Sequence, residues 1–499
     1  MIPNFGITVQ YGFNFTPSLS KYSYSKFKHH LLKNHRKVLQ IDLNKNIFVV
    51  LFPCKFYLPN LELMIVKPTL KDALKFWTKL GFISFGGPAG QIAIMHDYLV
   101  VKKKWISDSK FLNALNYCMI LPGPEAQQLA TYIGWLLHGR IGGLLAGILF
   151  VLPSMFILLG LSLIYVSFGE IPWIYAMFYG LKPAIIAIVI LALIKIGKKS
   201  LLSSFHYFVA IASFICIFFL NISFPLIIIG AIIIAAISHK IFPNIFRTQN
   251  NKSEKSAADE NEFFINKNTI IPKTGFRPFV FLKQVFITFL LWIIPIVIFY
   301  FFTNDFEFWK TLSSFFTKAA FVTFGGAYAV LPYVAQVSVE KLNWLTNLQM
   351  LDGLALGETT PGPLIMVLAF VGFMAGYNHF GNSLAMGTLG LFTTTFYTFL
   401  PCFFFILAGA PIIEKTQENN QIRQILGLVT AAVVGVILNL IIYLGKAVLF
   451  PENISFIDLN YISLFWIVVS IIILYRFKIN IIAWIVISAL FGLAHYLLV

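Results

Sequence analysis

The sequence predicts an all-α polytopic membrane protein made of two inverted-topology repeats with broken or re-entrant helices. Three observations predict it. Of 499 residues, 58% are hydrophobic and 11% charged, with a mean hydropathy of +0.82; soluble domains carry roughly 25% charged residues. Apolar runs long enough to cross about 30 Å of hydrocarbon recur along the chain. A set of Gly- and Pro-containing motifs occurs twice in the same order, the signature of an internal repeat. This composition excludes a soluble multidomain enzyme, and its hydrophobicity excludes a disordered chain. The formal charge of +17 would suggest nucleic acid in a soluble protein. In a membrane protein it marks cytoplasmic loops facing anionic lipid, so lipid is an expected partner and nucleic acid is not. Cys54, Cys118, Cys216 and Cys402 form no CxxC pair, and neither a metal nor a cofactor is expected.

Residues 1–66 are polar and basic and read as an N-terminal extension: disordered, a targeting segment, or sequence upstream of a true start at Met64. The first repeat, 67–242, carries apolar segments at 73–97, 111–138, 142–167, 172–195, 204–220 and 223–239. A hydrophilic linker at 243–278 is too short and polar to be a domain. One unpaired span, 279–302, precedes the second repeat, 303–499, whose segments lie at 313–338, 348–376, 384–409, 422–444, 459–475 and 479–498.

The repeat is read from matched residues. Phe85-Gly86-Gly87 recurs as Phe324-Gly325-Gly326, Trp105 as Trp344, and Pro122-Gly123-Pro124 as Pro361-Gly362-Pro363, all at an offset of 239. Leu152-Pro153 and Gly197-Lys198 recur as Leu400-Pro401 and Gly445-Lys446 at 248, which places an insertion near Gly376–Ser383. Six segments plus one unpaired span is an odd number, so the second copy enters from the opposite side, as in many secondary transporters. The linker, with Arg247, Lys252, Lys255, Lys267, Lys273 and Arg277, is expected to be cytoplasmic. Lys102, Lys103, Lys104 and Lys110 would then lie outside if 73–97 crossed fully. The conflict vanishes if 73–97 and 111–138 are re-entrant hairpins, each turning at its Gly-Pro motif, which gives four hairpins and nine full spans. Broken backbone survives at membrane depth only in protein or beside a cavity.

A helix starting inside the membrane offers free N–H groups and a partial positive charge, an anion site. Gly86, Gly87, Pro88, Pro122, Gly123, Pro124, Gly325, Gly326, Thr360, Pro361, Gly362 and Pro363 line four such breaks and are candidate substrate-binding residues. The plainer reading is that these residues only permit close packing or kinks. Gln91, Gln127, Gln128, Thr131, Thr359 and Thr360 would add neutral donors. Lys182, before Pro183 and with Thr430 at the equivalent position, is a costly intramembrane cation that pairs with a bound anion or with a carboxylate. Glu125 and Glu358 repel an anion unless protonated, which suits proton coupling; a salt bridge to Lys182 or Arg140, or a helix cap, is the alternative. There is no nucleotide-binding loop and no nucleophile–base order, so neither a pump nor an enzyme is expected.

The run Phe82-Ile83-Ser84-Phe85-Gly86-Gly87-Pro88, then Trp105 and Leu121-Pro122-Gly123-Pro124-Glu125, resembles the chromate ion transporter family. The second copy, with Phe321-Val322-Thr323-Phe324-Gly325-Gly326 and Gly357-Glu358-Thr359-Thr360-Pro361-Gly362-Pro363, resembles that family's C-terminal half. The resemblance covers about residues 70–498 without the linker and is to the long, two-domain members. It implies transport of chromate, with sulfate or a similar tetrahedral oxyanion as an alternative substrate. It further implies efflux giving chromate resistance, in the plasma or bacterial inner membrane. It also implies importance for Gly86 to Pro88, Pro122 to Glu125 and Gly180-Leu181-Lys182-Pro183. One departure is Ala327 where the first copy has Pro88, which predicts a milder break. The reading from a different class, an intramembrane enzyme or a flippase for a lipid-linked substrate, would need a nucleophile with a base or a metal dyad. Oligomeric state is left open, with a homodimer allowed.

Overall fold

A computed structural model describes residues 38–43, 46–51, 67–85, 87–169, 171–241, 262–266, 269, 276–303, 305–324, 326–413, 420–450 and 458–498. The chain divides into two units, Met1–Met64 and Ile65–Val499. In the first, β1 (Val38–Leu43) pairs antiparallel with β2 (Asn46–Leu51), Val38 opposite Leu51 and Leu43 opposite Asn46. The Val, Ile and Phe content of these runs suits a strand; the sequence had given no strand there. The rest of the extension lies outside the described residues, as do Gly86 and Gly325 and the basic run of the linker up to Lys255.

The regular elements described in the second unit are helices. Its first copy runs α1 (Leu70–Ile83), α2 (Gly87–His96), α3 (Asp108–Cys118), α4 (Glu125–Phe168), α5 (Pro172–Ser200), α6 (Ser204–Phe218) and α7 (Phe224–Ile241). After α8 (Pro278–Phe302) the second copy runs α9 (Phe306–Val322), α10 (Ala327–Gln336), α11 (Asn347–Thr359), α12 (Val367–His379), α13 (Leu384–Ile413), α14 (Asn420–Leu449), α15 (Tyr461–Ile472) and α16 (Ile481–Leu498).

The two copies match in local detail. Ser107 and Thr346, at equivalent positions, cap α3 and α11 by accepting the N–H groups of Lys110 and Gln349, each satisfying an otherwise orphaned donor. α2 and α10 both widen into a π-helical turn, Asp97–Lys102 and Val337–Lys341. Lys104 and Asn343 follow with positive φ, and Trp105 and Trp344 each donate a backbone N–H six residues back at 2.8 Å. The copies differ at one bend. α4 reverses direction at His138 and Gly139, whose backbone is not helical, whereas α12 and α13 are separate helices joined through Gly381 and Asn382. The change of register between the copies falls between Pro363 and Leu400, the stretch that contains this connection.

Among the described residues, six helices are long and apolar enough to cross a membrane: Glu125–Phe168, Pro172–Ser200, Pro278–Phe302, Leu384–Ala410, Ile425–Leu449 and Ile481–Leu498. α6, with 15 residues, is about 22 Å long at 1.5 Å per residue and falls short of the hydrocarbon thickness; α15, which runs on through a π-helical turn to Phe477, is also among the shorter apolar helices. The apolar runs that predicted nine full spans therefore include short helices and turns. α8 leaves Phe279, Leu282, Phe286, Phe301 and Phe302 exposed, the face expected toward lipid. The protein is a multi-pass protein of the cell membrane.

Candidate functional site

The four helix breaks are reversals. Phe76 on α1 stacks on Tyr98 with ring centroids 4.0 Å apart, although a straight helix would separate residues 76 and 98 by about 33 Å. In the second copy Phe315 on α9 lies 5.4 Å from Tyr333 and 5.5 Å from Trp344. Tyr117 and Tyr132 meet at 5.4 Å across the break between α3 and α4, and Gly353 packs on the Phe370 ring across that between α11 and α12. Ala327 does not soften its break: Gly326 takes φ +96°, in the left-handed region like Gly87 at +70°. Pro88 sits in the first turn of α2, while Pro124 and Pro363 immediately precede a helix. There a missing N–H is harmless, so the prolines start helices here.

The hairpin tips of one copy bond to those of the other. The Gly123 N–H donates to the Thr323 carbonyl at 2.7 Å, and the Gly362 N–H donates to the Ser84 carbonyl at 2.7 Å. Thr323 and Ser84 are equivalent residues, and their hydroxyls donate back to Ala319 and Leu80. Each Pro-Gly-Pro tip therefore rests on the opposite copy's Phe-Gly-Gly tip. Side chains brace the crossing, Gln91 donating to the Gly362 carbonyl and Ser154 to that of Pro361, while Gln128 steadies its own tip by donating to the Pro122 carbonyl at 2.7 Å. A side chain at Gly123 would meet Cys402 Sγ and Gln128 Nε2, both at 2.7 Å.

The glutamines were expected as donors. The nitrogens of Gln91 and Gln128 are held by carbonyl oxygens, and that of Gln127 donates to Thr131 Oγ1 at 3.1 Å. What each leaves without a partner is its Oε1, an acceptor. Thr359 and Thr360 both donate to the Leu356 carbonyl, at 2.8 and 2.7 Å, which keeps them within their own helix end.

The charged groups fall in three places. Glu125 opens α4 and is half-buried, with Lys199 at the end of α5 acting on it. Glu358 accepts a hydrogen bond from the Tyr328 hydroxyl on α10. Lys182 meets neither of these, and Arg140 is exposed. Its counter-ion is Asp352 on α11, Nζ to Oδ1 3.5 Å, the two residues being 5% and 4% exposed. Tyr165 on α4 donates to Asp352 Oδ2 at 2.9 Å, and the Tyr175 ring lies 5.3 Å from the Lys182 ammonium. Asp352 was missed in the sequence, although a carboxylate inside the apolar run 348–376 satisfies the same rule that singled out Lys182.

Linker residues 262–266 dock on the loop after the first hairpin. Ile265 forms a parallel bridge with Ile106, Ser107 donates to the Ile265 carbonyl at 2.8 Å, and Lys104 pairs with Glu262. The lysine loop and this part of the linker thus share one side of the unit.

Comparison with known proteins adds the identity. The family described as "Chromate transporter" matches residues 71–236 and 310–493, one match in each copy. The "Chromate transport protein" of Cupriavidus metallidurans is 28% identical over 383 residues, covering 76% of this chain and 83% of that protein. The "Probable chromate transport protein" of Synechococcus elongatus is 26% identical over 379 residues, covering 76% and 85%. An uncharacterized transporter of Methanocaldococcus jannaschii is 24% identical over 425 residues, covering 85% and 94%. No solved structure matches the chain. These relatives are transport proteins rather than enzymes, and with both copies matched over most of their length the chain belongs to the chromate transporter family.

Proposed function

We propose that this chain is a secondary transporter that carries chromate across the cell membrane by rocking of its two copies about the crossed hairpin tips. The observation that carries this reading is the reciprocal pair of backbone bonds, Gly123 to Thr323 and Gly362 to Ser84. It brings the helix starts at Gly87, Glu125, Ala327 and Val367 into one assembly made equally by both copies. Helix N-termini favour anions, and names of relatives supply chromate as the anion. Lys182 supplies the cation for the bound oxyanion, and sulfate, of the same shape and charge, is a second substrate. Glu125 and Glu358 answer to protons. Chromate oxidises thiols, so outward transport, giving resistance, is the direction that serves the cell.

The copies are taken to be inverted in the membrane. Support comes from the docked linker, which puts Lys102 to Lys104 on the linker's side, and from α8, which supplies one crossing before the second copy. A cysteine at Lys103 is therefore expected to react with an impermeant maleimide only from the cytoplasmic face; labelling of intact cells from outside would overturn the hairpin arrangement.

Counterflow of labelled chromate and sulfate in proteoliposomes, with and without a pH gradient, tests the function. The wild-type protein should exchange chromate, and Lys182→Ala should reduce exchange to the level of empty liposomes. Folded wild-type protein that exchanges no chromate would overturn the reading, and Lys182→Ala with wild-type flux would remove Lys182 from the site.

A further inference from the structure

The pair between Lys182 and Asp352 is unlike the rest of the molecule in three ways. It joins the two copies, since Lys182 is on α5 and Asp352 on α11. It occurs once, because the equivalent positions hold Thr430 and Asn113. It is also slack: at 3.5 Å it is longer than the 2.7–2.9 Å of a good ammonium–carboxylate hydrogen bond, and Asp352 Oδ1 is buried without a hydrogen-bond partner. An ion pair selected for stability would close that gap and engage the free oxygen.

Building on the transport reading, we propose that Asp352 is a built-in stand-in for the oxyanion: it occupies Lys182 in the empty protein and must take up a proton before Lys182 can hold substrate. The proton goes to Oδ1, which faces Lys182 without a hydrogen bond, while Oδ2 keeps the Tyr165 hydrogen bond. The ammonium of Lys182 is then without a counter-charge and takes the dianion. One proton and one oxyanion are therefore bound together and released together. Asp352 lies on the helix that ends in the Thr360–Pro363 tip, about 12 Å along the axis from Thr360, so exchange of its partner bears directly on the tip that meets Ser84.

The groups facing Asp352 are few. α5 presents Lys182 and, beyond it, Tyr175; α4 presents Tyr165. On α11 itself Glu358 is turned to Tyr328. Among the other helices against α11, α12 carries Tyr377 and His379, the latter bonded to Asp305, and α16 carries His495, stacked on Tyr179. α14 carries Tyr443 and Lys446. None of these enters the hydrogen bonds or ion pair of Asp352 among the described residues.

The test measures chromate binding to the full-length protein in detergent, in the alkaline range where chromate is fully the dianion. Wild type should take up at least one proton per chromate bound, and its affinity should weaken at least about tenfold for each unit of rising pH. Asp352→Asn should bind chromate with one proton fewer taken up than the wild type and with a slope against pH shallower by about tenfold per unit. Wild-type binding without proton uptake, or Asp352→Asn with the wild-type slope, would overturn the proposal. The wild-type proton count decides the matter even where the variant cannot be purified. Absence of chromate binding by the wild type at every pH would instead sink the transport reading itself.

Discussion

Gly362→Ala is expected to abolish transport and to cost about 3–5 kcal/mol of stability, the sum of backbone strain and overpacking. Gly362 holds φ +99°, a region that adds roughly 1–3 kcal/mol for a residue with a side chain. A methyl group there would also fall inside van der Waals contact with Ser154 Oγ, with Ser154 Cβ at 3.0 Å. Moving Ser154 aside breaks its hydrogen bond to the Pro361 carbonyl, about 1 kcal/mol more. The same shift loosens the Gly362 bond to Ser84, so flux should fall further than stability alone requires. Thermal unfolding in detergent and chromate exchange in proteoliposomes read the two effects. Adding Ser154→Gly should restore part of the stability, because the clash goes and the strain stays. Gly381→Ala serves as a control: φ is +62° with nothing within 4 Å, so only about 1–2 kcal/mol of strain is expected. A Gly362→Ala protein that melts and transports like wild type would show that the tip is not held as described.

Lys182→Met is the second large effect. Removing one partner of a buried pair leaves the other charge uncompensated and costs about 3–5 kcal/mol, whereas replacing both is often neutral. The single variant should therefore unfold readily, and Lys182→Met with Asp352→Asn should regain most of the stability while binding no chromate. The double-mutant cycle is the measurement. Additive losses from the two single substitutions would mean that the 3.5 Å separation reflects proximity without coupling.

The reversals were legible because glycine and proline have local meanings. A Gly-Gly-Pro or Pro-Gly-Pro motif interrupts a helix wherever it occurs, and the matched offset of 239 exposed the duplication without any knowledge of packing. The lysine loop at 102–110 pointed to hairpins through charge alone, and the bonds from Ile265 and Glu262 to that loop place it with the linker. What the sequence hid was partnership. Nothing in it shows that Gln91 bonds to Gly362, far along the chain, or that its nitrogen is engaged while its oxygen is left over. Asp352 and Lys182 are likewise distant in sequence and meet only because α5 crosses α11. The bounds of α6 and α7 lie close to the apolar segments 204–220 and 223–239, but hydropathy alone does not show that α6, ending at Phe218, is too short to span the hydrocarbon.

The crossed tips also bear on how many halves a working unit needs. Each copy presents a backbone donor at its Pro-Gly-Pro glycine and a backbone acceptor at Ser84 or Thr323, and each pair is completed only by the other copy. A lone half would keep one donor and one acceptor unmet deep in the bilayer, where neither can turn to water. Joining two halves in one chain removes that debt by fixing the stoichiometry at one to one. A protein of this architecture carrying a single half would have to assemble with another half, its own twin or a sister gene product, before its backbone was complete.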